Sequence, residues 1–347
     1  MSSKKSAYEV VLDKFLKAVD EKSSMPWQRP YEMYNAFNYF TGKTYRGINR
    51  LVLPFGEYIT ANQINEYNKK KGYIVYDERG KIKSLKPEAY RFVKGIIWYP
   101  VIFFKTDIKS SSIAEVEKNV SDWKDTGEDG FIGKNMGWVF YREEGKFLKK
   151  RNVLRFYEVA DRKYFMNAYG ECLPSKVESG EVVITKPEPM KVILDYVKRS
   201  GVSFVTNISG VPNYSSFFDR VSLNPYIENE DFWFSIAFHE LAHSTGYVDR
   251  LDREGVGHGV VKGSEKYVKE ECIAEITSFL CCAETGVYDF RTTCSNAFEN
   301  NVAYVKYWKE KIHNWGKEFI YIVSQADKAF NYICNGPDAT NDEGDEK

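Results

Sequence analysis

The stretch "FHELAHSTG", residues 238–246, sets His239, Glu240 and His243 in the order H-E-x-x-H. On a helix, positions i and i+4 share one face, so two imidazoles can aim at one point. Zinc takes neutral imidazole nitrogen at about 2.0–2.1 Å, and a catalytic zinc site keeps one position for water. Glu240 then stands where a general base must stand to accept that water's proton. The chain has only four histidines, and two of them fall here. The run "FWFSIAFHELAH", residues 232–243, is strongly apolar, which predicts a largely buried helix. Buried imidazoles need polar partners, and a metal supplies one. We therefore expect one Zn2+ per chain, with His239 and His243 as ligands and Glu240 as catalytic base.

Two places offer the third ligand. Asp249 follows the Gly246 turn in the pattern H-E-x-x-H-x-x-G-x-x-D. The alternative is a second helix, "YVKEECIAEITSF", residues 267–279, on which Glu271 and Glu275 are four apart. One can bind the ion and the other can hydrogen-bond a ligand histidine. We take Glu271 as the third ligand and keep Glu275, Glu270 and Asp249 as alternatives. Against this stands a plainer reading, in which Glu270 and Glu271 pair with Lys266 and Lys269 on a solvated face.

Around this site the chain divides in composition. Its 347 residues suggest two domains or one large one. "TANQINEYNKKKG", residues 60–72, reads as a polar helix with Thr60 as N-cap and Gly72 as its stop. Residues 95–106 read as strand, interrupted by Pro100, and 107–135 as a polar excursion. Residues 138–160 read as a hairpin turning near Glu144-Gly145. The expected fold class is α+β. An N-terminal α+β part with an antiparallel sheet spans 1–165, and a linker spans 166–190. A mainly helical part with a small sheet spans 191–333, and an acidic, disordered tail spans 334–347. In the helical part, helices are expected over 190–200, 230–245, 264–285 and 299–333, with short strands at "SFVTN" and "DRVSLNP". Gly246 is expected to end the motif helix as a C-cap.

Lys+Arg and Asp+Glu both number 49, so any pull on nucleic acid must come from a local patch. The six cysteines form no C-x-x-C, no run approaches membrane-spanning length, and the opening "MSSKKSAYEVVLDKF" is unlike a signal peptide. The expectation is a reduced, cytoplasmic protein with no membrane partner. In the first half, cations and aromatics interleave: Trp27, Arg29, Tyr31, Tyr34, Tyr45, Arg46 and Arg50, then Lys69, Lys70 and Lys71, then Lys146, Lys149, Lys150 and Arg151. Single-strand binding uses both kinds of group. The same pattern also fits core aromatics with solvated lysines.

The motifs together resemble the ArdC-type antirestriction proteins of plasmids and phages. "GVPNYSSFFDRVSLNPY", "FHELAHSTGYVDRLDR" with Arg250, Leu251 and Arg253, and "YVKEECIAEI" carry the C-terminal resemblance. "PWQRPY" and "NYFTGKTYRGINRLVL", with Tyr45, Arg46 and Asn49, carry a looser N-terminal one, and 107–135 looks like an insertion. The resemblance implies an N-terminal single-stranded-DNA-binding domain joined to a C-terminal zincin-like metallopeptidase domain. It favours Glu271 over Asp249. It points to Trp27, Arg29, Tyr31, Tyr45, Arg46, Asn49, Lys69, Lys70 and Lys71 for DNA, and to a host defence protein as possible peptide substrate. Within that frame the alternative is a DNA-occlusion protein whose metal is structural or vestigial.

Overall fold

The computed structural model describes residues 36–47, 49–50, 53, 56–124, 127, 129–135, 137–181, 186–208, 210–226, 229–257, 259–287 and 315–337. The residues Trp27, Arg29, Tyr31 and Tyr34, the 299–314 part of the helix expected over 299–333, and the tail beyond 337 lie outside them.

Strands β1 (Phe37–Asn38) and β2 (Glu57–Ile59) pair in parallel. Helix α1 (Ala61–Lys70) starts at Thr60 as the sequence predicts. The Gln63 amide N–H donates to the Thr60 hydroxyl at 3.1 Å, and the Thr60 N–H donates to the Gln63 side chain at 3.0 Å. This reciprocal cap satisfies two donors that a helix start leaves orphaned. After the hairpin β3 (Ile74–Tyr76) and β4 (Ile82–Leu85) comes β5 (Arg91–Phe92).

The long strand β6 (Tyr99–Ser110) runs through Pro100 and into the expected excursion. That excursion is in fact packed structure. Helix α2 (Ile113–Asn119) buries Val116, and β7 (Gly130–Asn135) pairs with β8 (Trp138–Glu143). A handful of apolar residues suffices: Val116 and Val120 close on Phe140 of the sheet. Strand β9 (Lys146–Asp161) follows a tight turn in which Glu144 and Gly145 have φ of 50° and 74°. Two consecutive positive φ values match the strand twist of a two-residue hairpin. The sheet order is β1-β2-β9-β8-β7, with β6 also on β9. It is antiparallel except for the β1–β2 pair, a departure from the expected wholly antiparallel sheet.

Strand β10 (Phe165–Met166) pairs with β5. The start of the expected linker is not free of this first core. Leu173 is buried beside Ile59 and Phe165. Ser175 donates to the buried Glu57 carboxylate at 2.6 Å, and Arg162 reaches the same carboxylate at 2.9 Å.

Helix α3 (Pro189–Ser200) begins with proline and ends at Gly201, φ 73°, where a left-handed residue closes the last turn. Strands β11 (Ser203–Thr206), β12 (Asn213–Ser215) and β13 (Arg220–Leu223) form a sheet in the order β11-β13-β12. β12 was not foreseen; three residues carry too little alternation to read. Helices α4 (Glu230–Thr245), α5 (Glu265–Thr285) and α6 (Trp315–Asn335) complete this half. α4 is apolar on nearly all sides because it is central. Phe234, Phe238 and Leu241 pack against α3, α5, α6 and β13 in one core. Burial of a side chain such as Phe238 contributes about 1.5–3 kcal/mol. The five cysteines among the described residues are free thiols.

Candidate metal centre

α4 is held at its start by Asn229, whose side chain accepts from the Phe232 N–H at 2.8 Å. It ends, as expected, at Gly246. Gly246 has φ −79°, so no left-handed cap is present. A Cβ there would lie 2.5 Å from Val256 and 2.9 Å from the Arg253 guanidinium. Glycine is needed for close approach rather than for a positive φ. Through that gap Arg253 reaches the helix end, donating to the Ala242 carbonyl at 2.8 Å and the Thr245 hydroxyl at 2.7 Å.

On the site side, His239 Nε2 and His243 Nε2 lie 3.2 Å apart. Each is 3.7 Å from a Glu271 oxygen contributed by α5. His239, His243 and Glu271 are the one His/Cys/Asp/Glu group among the described residues whose donor atoms converge closely enough for a metal ion. Ligands on a common tetrahedral ion at 2.0–2.2 Å stand about 3.3–3.6 Å from one another. The three separations therefore fit a divalent cation.

The other ring nitrogens support this. His239 Nδ1 faces Glu275 at 3.2 Å and His243 Nδ1 faces Glu270 at 3.2 Å. An Nδ1–H given to a carboxylate leaves the Nε2 lone pair pointing into the site. Two such lone pairs at 3.2 Å repel unless a cation or proton lies between them. The charge field has the matching sign. Burial works against a charged His239, yet the facing carboxylates of Glu271, Glu275 and Glu240 push its pKa up to about 10. Burial opposes ionisation of Glu271, but the facing imidazoles of His239 and His243 bring it down to about 2.

Glu270 is no solvated surface group. It is 4% exposed and takes two hydrogen bonds from Arg253, at 2.6 and 2.8 Å. Burial raises its pKa, and the Arg253 charge and hydrogen bonds outweigh that and lower it. Lys266 and Lys269 pair instead with Glu254 and with Glu265 and Glu318. Gly255 lets this loop lie on α5, since a Cβ there would meet Glu270 Cβ at 2.6 Å. Beside the helix end, Arg250 binds Asp219 with both terminal nitrogens and donates to the Ser244 carbonyl at 2.6 Å. Tyr214 donates to Asp219 at 2.8 Å.

The expected residues thus separate. His239, His243 and Glu271 converge, with Glu275 and Glu270 behind the two rings. Glu240 is buried on α4, one residue after His239 in the chain. Asp249 is exposed in the turn after the helix and is not in the group, so that alternative falls. Arg253 and Arg250 had no role in the sequence reading beyond the R-L-x-R pattern. That pattern was the available signal.

Of the residues expected at DNA, Trp27, Arg29 and Tyr31 lie outside the described residues. Tyr45 is 3% exposed and meets Tyr58 edge-on, and Asn49 is 8% exposed. Both are core positions, which corrects the expectation that they offer a face to a base. Arg46 is half-buried, and Lys69, Lys70 and Lys71 are exposed at the end of α1.

Residues 195–324 match the model of a family described as zincin-like metallopeptidases. The chain is 24% identical over 340 residues to the DNA primase TraC of Escherichia coli, covering 96% of this chain and 20% of that protein. A second Escherichia coli TraC is 32% identical over 103 residues, 30% of this chain and 9% of that one. The chain thus spans about a fifth of the first of these curated relatives or less. Among solved structures it is similar to the metal-free antirestriction protein ArdC of the R388 plasmid. The TM-score is 0.59 at 20% identity, over 95% of this chain and 97% of that one. The Mn(II)-bound form of the same protein matches with TM-score 0.54 at 19% identity, over 97% and 99%. No described helix is long and apolar enough to cross a membrane. The chain accordingly shares the α+β fold of the R388 antirestriction protein ArdC, and its residues 195–324 match the zincin-like metallopeptidase model.

Proposed function

We propose that this chain is an antirestriction-type protein of a mobile element, plasmid or phage. In this reading residues 1–165 bind single-stranded DNA, and residues 191–333 carry a zinc-dependent peptidase-like site that protects incoming DNA from host defence. The observation that carries the reading is the convergence of His239, His243 and Glu271 from two helices. A bound zinc ion supplies Lewis acidity that brings a water's pKa toward 7. The rest is done by the chain. Glu275 and Glu270 hold the imidazole tautomers, Arg253 holds Glu270, and Glu240 accepts a proton from the attacking water and returns it to the leaving amine. A host defence protein is the proposed peptide substrate.

Elemental analysis tests the first step. Wild type is expected to hold about one zinc per chain and His243→Ala little. Glu240→Gln tests the second. It keeps the metal and loses hydrolysis of an unfolded protein such as casein; retained hydrolysis would remove Glu240 from the mechanism.

One observation favours a second reading, DNA occlusion with a structural ion. The centre is tied through Glu270 and Arg253 into the closure of α4, so a bound ion would also brace the fold. Full protection of transferred DNA by Glu240→Gln selects this reading; lost protection with DNA binding intact selects chemistry.

A further inference from the structure

The β7–β8–β9–β6 part of the first sheet has two unlike faces. Residues directly opposed across a sheet share a face, and successive residues alternate. One face carries Phe140, closed over by Val116 and Val120 at α2. Gly133, opposite Phe140, is so close to this cover that a Cβ would lie 2.3 Å from Val120.

The other face is read from the register. One row across it is Phe131, Tyr141, Leu148 and Ser110. The next is Lys134, Val139, Lys150 and Ile108. The irregularity between Phe131 and Gly133 puts Phe131 and Lys134 on this same side. Phe131 is 65% exposed and Ile108 58%, and both lysines are exposed. Each aromatic ring has a cation over it: Lys134 Nζ is 5.9 Å from the Phe131 centroid, and Lys150 Nζ is 5.3 Å from that of Tyr141. Neither row contains a carboxylate; Glu143 lies nearer the turn, opposite Lys146.

We propose that this open face binds a single strand of nucleic acid, with bases stacked on Phe131 and Tyr141 and phosphates on Lys134 and Lys150. The proposal rests on the single-strand reading above and gives it a site that the sequence patterns at 27–50 and 69–71 do not contain. Row spacing supports it. Strands lie about 4.8 Å apart, so aromatic and cationic groups stand within one nucleotide's reach of each other. Stacking needs bases free of a duplex, which makes the single strand the fitting occupant.

The test is fluorescence anisotropy on the full chain with a labelled oligothymidylate longer than ~16 nucleotides. Phe131→Ala is expected to weaken binding roughly tenfold, while Phe131→Tyr keeps wild-type affinity. Lys134→Gln with Lys150→Gln is expected to flatten the slope of log K against log salt by about 1.4. Wild type that binds no oligonucleotide overturns the single-strand reading and this site together. Wild type that binds, with all variants unchanged, leaves that reading standing and overturns only this face. Phe131→Ala that splits a wild-type dimer without altering DNA affinity assigns the face to a second copy and also overturns the proposal.

Discussion

Glu270 is a carboxylate with almost no access to water, and it keeps its charge because Arg253 meets it with two hydrogen bonds. Removing one member of such a pair leaves the other charged and unpaired, at a cost of about 3–5 kcal/mol. Arg253→Met is therefore expected to lower the free energy of unfolding by that amount and to weaken metal uptake, since His243 loses its fixed partner. Unchanged stability in urea would show that the pair carries no such load. Tyr196 gives a pH signature away from the metal. It is fully buried, its hydroxyl 2.7 Å from Ser244, and burial pushes its pKa up to about 12, against a lowering by Arg250 and by hydrogen bonds to Ser244 and Ser200. A folded pKa above the unfolded value near 10 means stability that is whole below pH 10 and lost as pH rises toward 12. Tyr196→Phe is expected to shed this alkaline loss in thermal melts, while giving up about 1 kcal/mol at neutral pH with the Ser244 hydrogen bond.

At the scale of elements, what the sequence revealed was local. Thr60 announced a helix start through a side chain that bonds to its neighbours in the chain, and the helix expected over 264–285 likewise starts after Ser264 and closes at Gly286. The i, i+4 pairs on α4 and α5 were legible for the same reason. The Arg253–Glu270 pair was not, because its partners are seventeen residues apart and meet only once the loop folds onto α5. The parallel β1–β2 and β11–β13 pairs were hidden likewise, since register is a tertiary outcome. Gly246 closes α4 as expected, and what the sequence did not show is that it is also a passage for Arg253. Gly246→Ala is expected to destabilise the fold by more than the roughly 1 kcal/mol that favours alanine over glycine in a helix, and in the opposite direction. A stabilised variant in thermal melts would mean that Val256 and Arg253 yield without cost.

On the scale of the whole molecule, the two halves touch through Arg50. Its guanidinium carbon is 4.4 Å from the Phe330 ring centroid, and Nη1 is 3.5 Å from Asp327, both residues on α6. Arg50 was grouped with DNA contacts on sequence alone; the structure turns it toward the second half. Arg50→Ala is expected to split a single calorimetric transition into two, because the buried Asp327 loses its cation and the halves lose a shared contact. One unchanged transition would show that other contacts couple them. The halves also differ in when they come into being. Glu271 lies 32 residues after His239, and Glu270 and Glu275 share its helix. At about 5–20 residues per second, a ribosome needs about 2–6 s to pass from one ligand to the other. Until it does, the nascent chain holds two imidazoles with neither the third ligand nor the carboxylates that orient them. Translation alone thus delays the appearance of a complete centre until the N-terminal half has been made.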